Sequence, residues 1–409
     1  MSSSASDAGR DDRKPRTVGL VYSEAHMKTC DTMPRIQGRC KLVHGLIQAY
    51  GINRSLALIS PERASRSELC EFHSSLYVES LQEDKSREED DDAERDEMFG
   101  FGYDCPVFDG VYEYVEAVAG GTLAAVSALC SEACSVACHW EGGWHHCHRD
   151  QASGFCYVND IVLAILRLRD AGFRRILYID LDVHHGDGVE GAFSHSADVM
   201  TVSFHRYCPG FFPGTGATGD CGSGKGRFHC LNIPLGDGTR DGTFLRVFSR
   251  VMAEVHDRFR PDAVVCQCGA DCLAGDPLGA FNLTPASLCA CVEQLTAWRV
   301  PLLVLGGGGY NLANTARCWT QITASLVGMR CHDDIPEHGN FAKFGPDFTM
   351  NVSPGNRREE LTTTEVDRLI STVLGHLSNI EPPTPASESA QDLHEKEDAA
   401  IAAKLAAST

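Results

Sequence analysis

The chain has 409 residues and is 43% hydrophobic, enough to bury a large core. Its 36 basic and 56 acidic residues leave a formal net charge of −20, which argues against a nucleic-acid surface and suits a basic protein partner such as a lysine-rich tail. No apolar run approaches the roughly 18–20 residues that span a bilayer, and the Ser/Asp/Arg-rich start lacks the apolar stretch of a secretory signal. The 19 cysteines include no Cys-x-x-Cys pair, so they read as reduced, packed thiols rather than a disulfide framework or a zinc scaffold.

Residues 1–15, an acidic insertion over about 83–97, and the Pro/Ser/Glu/Ala-rich 379–409 are polar and expected to be flexible, with a weak helix over 397–407. They leave 16–378 as one unit. In chain order, apolar patterning predicts a strand over 17–22, helices over 39–50 and 111–129, a strand over 136–140 and a helix over 155–170. Strands follow over 175–183, 199–204 and 229–233, then a helix over 243–259 and a strand over 263–268. The series closes with a helix over 285–298, a strand over 301–305 and a helix over 314–327. Several strands are apolar almost throughout, as when both faces are covered, so the expected class is α/β with a mainly parallel sheet. Ligands in such sheets bind outside the carboxyl ends of the strands.

Four of those ends carry chemistry. The strand over 175–183 places Asp180, Asp182 and His184 at alternate positions, hence on one face if the strand continues. Two carboxylates and an imidazole brought together at an apolar strand end call for a cation. The strand over 136–140 runs into Gly142-Gly143-Trp144-His145-His146, that over 263–268 into Gly269-Ala270-Asp271, and that over 301–305 into Gly306 to Gly309 and Tyr310. The last of these lacks the lysine of a phosphate-binding loop, and no Gly-x-Gly-x-x-Gly follows the first strand, so nucleotide binding is not expected.

Together, Gly142-Gly143-Trp144-His145-His146, Ser153-Gly154-Phe155-Cys156-Tyr157, the run from Asp180 to Gly188, and Gly307-Gly308-Gly309-Tyr310 resemble the zinc-dependent histone deacetylases, class I in particular. Further matches are Cys30-Asp31 through His44, Gly102 to Pro106, and Asn311 to Trp319, so the resemblance spans roughly 16–378. It implies a single-domain arginase/deacetylase fold, an eight-stranded mainly parallel sheet flanked by helices. The implied reaction is hydrolysis of N6-acetyl-lysine on histone tails and other proteins, releasing acetate.

By the same resemblance Asp182, His184 and Asp271 are zinc ligands, although iron(II) or cobalt(II) suits such oxygen and nitrogen donors nearly as well. Two anionic ligands weaken the cation as a Lewis acid, so a neighbouring base is required. The resemblance places His145 and His146 there, backed by Asp180 and Asp187 respectively. His146 is expected to be the general base and acid, His145 mainly electrostatic, and Tyr310 the oxyanion donor. Phe155 and Phe212 match tunnel walls, with Gly154, Leu278 and Trp144 also expected to contact substrate. Asp104 matches a rim carboxylate, and Arg39 an internal channel for acetate.

Potassium is implied at Asp180, Ser203 and Phe204, with backbone of Asp182 and His184, and again at Phe193, Ser196 and Val199. Gln37, Gly38, Leu278 and Ser196 depart from patterns within the family, and the first three bear on the tunnel's lip. The resemblance further implies hydroxamate sensitivity and residence in nucleus and cytoplasm, and it fits a monomer as well as a complex. The alternatives are an acetylpolyamine or arginase-like hydrolase, or an inactive acyl-lysine reader.

Overall fold

Eight short strands, all parallel, make one sheet in the computed structural model, which describes residues 16–82, 96–102 and 104–383. They are β1 (Val18–Val21), β2 (Ala57–Ile59), β3 (Val136–His139), β4 (Ile176–Asp180), β5 (Val199–Arg206), β6 (Cys230–Leu235), β7 (Ala263–Gln267) and β8 (Leu302–Leu305), in the spatial order β2-β1-β3-β8-β7-β4-β5-β6. The register pairs His139 with Leu305, Leu305 with Gln267, and Gln267 with Asp180. The final residues of β3, β8, β7 and β4 therefore stand in one row, and the loops leaving them emerge side by side.

Alternation within each strand feeds two helical layers. Leu177, Ile179, Val202 and Phe204 pack on one face with helices Arg39–Ala49, Asp241–Phe259, Pro285–Thr296, Leu312–Leu326 and Thr363–Leu377. Ile176, Tyr178, Val265 and Leu303 pack on the other with helices Val111–Cys130 and Asp160–Asp170. Both faces being covered explains the nearly unbroken apolar runs.

Three expectations need correction. The edge strand β2 is absent from the patterning because it has three residues, two of them exposed. The helix expected from 155 begins at Asp160, where the Asn159 side chain accepts from Val162 N (3.0 Å) as an N-cap. Phe155 instead has φ 67° in a tight turn closed by Ser153 and Cys156. The strand expected to reach 183 stops at Asp180, because two side-chain turns follow. Asp180 Oδ1 accepts from Asp182 N (3.1 Å), and Asp182 Oδ1 accepts from His184 N (3.0 Å). Helices Glu24–Cys30, Asp187–Phe193 and Thr363–Leu377 are also additions.

The stretches 1–15, most of 83–97, and 384–409 with its weak helix lie outside the described residues. Among the described residues no helix is long and apolar enough to cross a membrane. All 19 cysteines are free thiols.

Candidate active site

The two turns after β4 separate Asp180 from its alternating partners. Asp182 and His184 turn toward Asp271, which follows β7, and the donor atoms of these three side chains gather within 4.8 Å of one another. His184 Nδ1 lies 3.1 Å from Asp182 Oδ1 and 3.0 Å from Asp271 Oδ2. The other oxygens are already engaged: Asp182 Oδ2 by Gln267 Nε2 (2.9 Å) and Gly308 N (3.0 Å), Asp271 Oδ1 by Val183 N (3.0 Å).

Ligand bonds near 2.0–2.1 Å in a tetrahedron put donors about 3.3 Å apart, close to the observed spacing. Electrostatics agree. Burial and then the neighbouring Asp182 charge raise the Asp271 carboxyl to about 7, so two carboxylates lie together without compensation by an exposed solvent shell. A cation between them removes that penalty, and the residues fit one. A Cβ at Gly308 would collide with the Asp271 carboxylate, which is why glycine is needed there.

His145 and His146 follow β3 and lie beside this group, their rings 3.9 Å apart between centroids. His145 Nδ1 is 2.7 Å from Asp180 Oδ2, and His146 Nδ1 is 2.7 Å from Asp187 Oδ1. Each carboxylate fixes a tautomer with the proton on Nδ1 and leaves Nε2 for chemistry. Burial opposes charge on His145, but Asp180 and Asp182 prevail and lift it to about 9. Burial, reinforced by charged His145, holds His146 at about 3 against the pull of Asp187. The pair thus comprises one charged ring and one neutral ring able to accept a proton.

Tyr310 ends the glycine loop after β8. Burial, then the charges of Asp271 and Asp182, push its phenol well above the ordinary range, so it remains a donor. Its backbone N–H and that of Asn311 both bond to Asp276 Oδ2 (2.7 and 2.9 Å), while Leu278 N bonds to Asp276 Oδ1 (2.9 Å). Arg39, buried, holds the same loop from behind, its Nη1 donating to the carbonyls of Gly307 (2.8 Å) and Gly309 (3.1 Å).

Phe155 and Phe212 stand beside Tyr310 and His146. The Phe155 ring is 5.6 Å from that of Tyr310, and Phe212 stands edge-on to His146 at 4.8 Å. Gly154 lies against both His146 and Phe212. Asp104 lines a hollow with Arg35 and Phe155, and its Oδ2 accepts from Gly154 N (2.9 Å), so one of its oxygens is committed to the scaffold. Trp144 turns inward: it is buried, donates to Glu141 O (2.8 Å) and lies under Arg39 rather than at the rim. Of the expected potassium residues, Ser203 pairs in register with Asp180 and adjoins Phe204 on β5. Phe193, Ser196 and Val199 follow one another from the end of helix Asp187–Phe193 to the start of β5.

Sequence reasoning missed the residues that hold these groups in place. Asp276 positions Tyr310, Gln267 orients Asp182, Tyr178 donates to Asp180 Oδ2 (2.6 Å), and Asp160 accepts from Gly143 N and Trp144 N (both 2.9 Å). Arg35, its guanidinium 4.4 Å over the Phe155 ring, was missed at the rim. The available signal was a polar residue interrupting or ending an apolar run, as Gln267 does.

The fold and this hollow define a histone deacetylase: residues 33–326 match the histone deacetylase domain, and the chain belongs to that family. It is a class I member and a hydrolase of acetyl-lysine amides, with the arginase/deacetylase-like fold and the catalytic metal that the family implies. Its particular likeness is to histone deacetylase 8. The chain is 46% identical to that of Danio rerio over 378 residues, covering 92% of this chain and 100% of the other. It is 44% identical to that of Xenopus tropicalis over 88% of this chain and 97% of the other. Histone deacetylase 1 of Homo sapiens is 42% identical over 81% of this chain and 68% of its own length.

Proposed function

We propose that the chain removes acetyl groups from N6-acetyl-lysine on histones and other proteins, acts in the nucleus as well as the cytoplasm, and uses zinc held by Asp182, His184 and Asp271. When bound, the cation polarises the acyl carbonyl and acidifies a water. His146 takes the proton from the attacking water at Nε2 and returns it to the leaving lysine amine, with Asp187 steadying the imidazolium between the two transfers. His145, charged and held by Asp180, stabilises developing negative charge. Tyr310 donates its hydroxyl to the carbonyl oxygen as that oxygen becomes anionic.

Phe155 and Phe212 pack along the lysine methylenes, Gly154 leaves room between them, and Leu278 shapes the lip. The second oxygen of Asp104 receives substrate backbone N–H groups. Trp144 contributes from behind the acyl group, and Arg39 marks the route by which acetate leaves. Potassium at Asp180, Ser203 and Phe204, and at Phe193, Ser196 and Val199, would stiffen the turn after β4 and the start of β5. Iron(II) or cobalt(II) can replace zinc in such a donor set.

One observation carries this reading: a buried Asp/His/Asp group beside two histidines, each backed by its own carboxylate. The test is hydrolysis of an acetyl-lysine peptide and of acetylspermidine by the purified chain, with zinc removed and restored. Zinc-dependent acetate release from the peptide is expected; turnover of acetylspermidine alone would make it a polyamine amidohydrolase and refute the proposal.

The two histidines should differ. His146→Ala is expected to lower kcat by roughly 100- to 10,000-fold, the range of a general acid–base group, and more than His145→Ala. Steady-state rates of the two variants decide it, and the opposite ranking would exchange their roles.

A further inference from the structure

Behind the Gly142–Trp144 segment lies a second polar group that the reaction does not use. His26, from helix Glu24–Cys30, and His139 and Glu141, from the end of β3 and just beyond it, are all buried, with donor atoms within 4.8 Å of one another. His26 Nε2 faces His139 Nε2 at 3.0 Å, and His139 Nε2 is 3.7 Å from Glu141 Oε2. Cys30 Sγ stands 3.7 Å from the same His26 nitrogen. Glu141 Oε2 is buried without any hydrogen-bond partner.

The surrounding bonds fix which lone pairs face inward. The Thr122 hydroxyl lies 2.6 Å from Asp160 Oδ2 and gives its only hydrogen to that carboxylate. Thr122 Oγ1, 2.8 Å from His139 Nδ1, must therefore accept from it. Neutral His139 thus carries its proton on Nδ1 and presents a bare Nε2 to His26. Glu141 Oε1 is held by His44 Nε2 at 2.6 Å, which aims Oε2 at the two imidazoles. Ligand histidines and carboxylates in metal centres have these outer partners: an acceptor behind the far ring nitrogen and a donor on the far oxygen.

We propose that His26, His139 and Glu141 hold a second divalent transition metal. Two imidazoles and a carboxylate form a set that suits zinc, and the separations of 3.0 Å between His26 and His139 and 3.7 Å between His139 and Glu141 can be bridged by ligand bonds of about 2.0–2.2 Å. A metal-free arrangement accounts for less. One imidazole N–H shared between His26 and His139 explains their close approach, yet it leaves Glu141 Oε2 buried without a donor. A cation satisfies both imidazole lone pairs and that oxygen together. The group is tied to the reacting one through Asp160, which accepts from Thr122 on one side and from Gly143 N and Trp144 N on the other, and through Glu141 O, which accepts from Trp144 Nε1 (2.8 Å). Its role is thus to brace the segment that carries His145 and His146.

The test is metal content per chain of the full-length protein, freed of loosely held ions by gel filtration. Two equivalents of zinc are expected, one for each side-chain group. Glu141→Gln and His139→Asn, which preserve shape, should each hold one equivalent; Asp271→Asn should also hold one, and Asp271→Asn with Glu141→Gln none. A wild-type chain holding one equivalent, unchanged in Glu141→Gln, would overturn the proposal. If Glu141→Gln does not fold, cobalt(II) titration of metal-free wild-type protein decides, since tetrahedral cobalt absorbs visibly. Two saturating steps support the second site and a single step refutes it. Retention of both equivalents by Asp271→Asn would instead contradict the reading of the catalytic ligands, so the two failures are separable.

Discussion

Asp271→Asn is expected to empty the cation site beside His145 and His146 and to abolish turnover while the fold persists. Asparagine keeps the shape of the carboxylate and can still accept from Val183 N through its oxygen, as Asp271 Oδ1 does. Its amide can donate toward Asp182, whose carboxylate now shares the pocket with a like charge. In metal-free protein the substitution relieves repulsion from Asp182 but gives up the 3.0 Å contact with His184. Against burial, the two carboxylates lift that imidazole to about 10, so the variant should melt close to the metal-free parent. With metal present the balance turns against the variant, because a charged ligand has been removed. Cation affinity should fall by more than the roughly 10- to 100-fold that loss of an outer partner costs. Zinc per chain, measured beside melting curves with and without metal, tests both halves. Full zinc occupancy would remove Asp271 from the ligand set, and a metal-free melting point far below the parent's would assign it a structural role.

Tyr310→Phe carries the second large effect. The phenol is held in its protonated form by burial and by the charges of Asp271 and Asp182, so it can donate but not act as a base. Removing the hydroxyl should lower kcat by about 100- to 1000-fold, or about 2.7–4 kcal/mol in the barrier, as loss of one oxyanion donor does. Metal content should not change, since the carboxylate oxygens gathered in the candidate cation site belong to Asp182 and Asp271. Substrate binding should change little, because the bond strengthens only as charge develops on the carbonyl oxygen. Single-turnover rates and zinc analysis on the same sample separate these quantities. A variant retaining most of its rate would place the oxyanion donor elsewhere.

Much of the scaffold could be read in the sequence because apolar runs with both faces buried leave an unambiguous trace. The loops at four strand ends were legible for a related reason: glycines beside titratable residues conflict with simple packing. The geometry between those loops was not. Asp182 and His184 are neighbours in sequence, but Asp271 reaches them only because β7 lies next to β4 with Gln267 opposite Asp180. The alternation of Asp180, Asp182 and His184 suggested one shared face, whereas two side-chain turns send Asp180 to His145 and its partners to Asp271. Strand β2 escaped because an exposed three-residue edge has no apolar period. Asp276 and Gln267 escaped because their roles consist of hydrogen bonds to backbone and side chains that only the folded chain brings near.

The fastening of the Gly307–Gly309 carbonyls by Arg39 has a kinetic consequence. That contact closes a loop of 268 residues, and the cation group adds a closure of 87 between His184 and Asp271. Neither can form until the intervening strands have paired, because closing long loops is opposed by chain entropy before native contacts repay it. A chain with most of its secondary structure in place but the Arg39 contact unmade would hold the Tyr310 loop through Asp276 without its anchor at Gly307 and Gly309. Recovery of catalysis after dilution from denaturant should therefore trail recovery of helix content, making turnover a clock for the last step of folding.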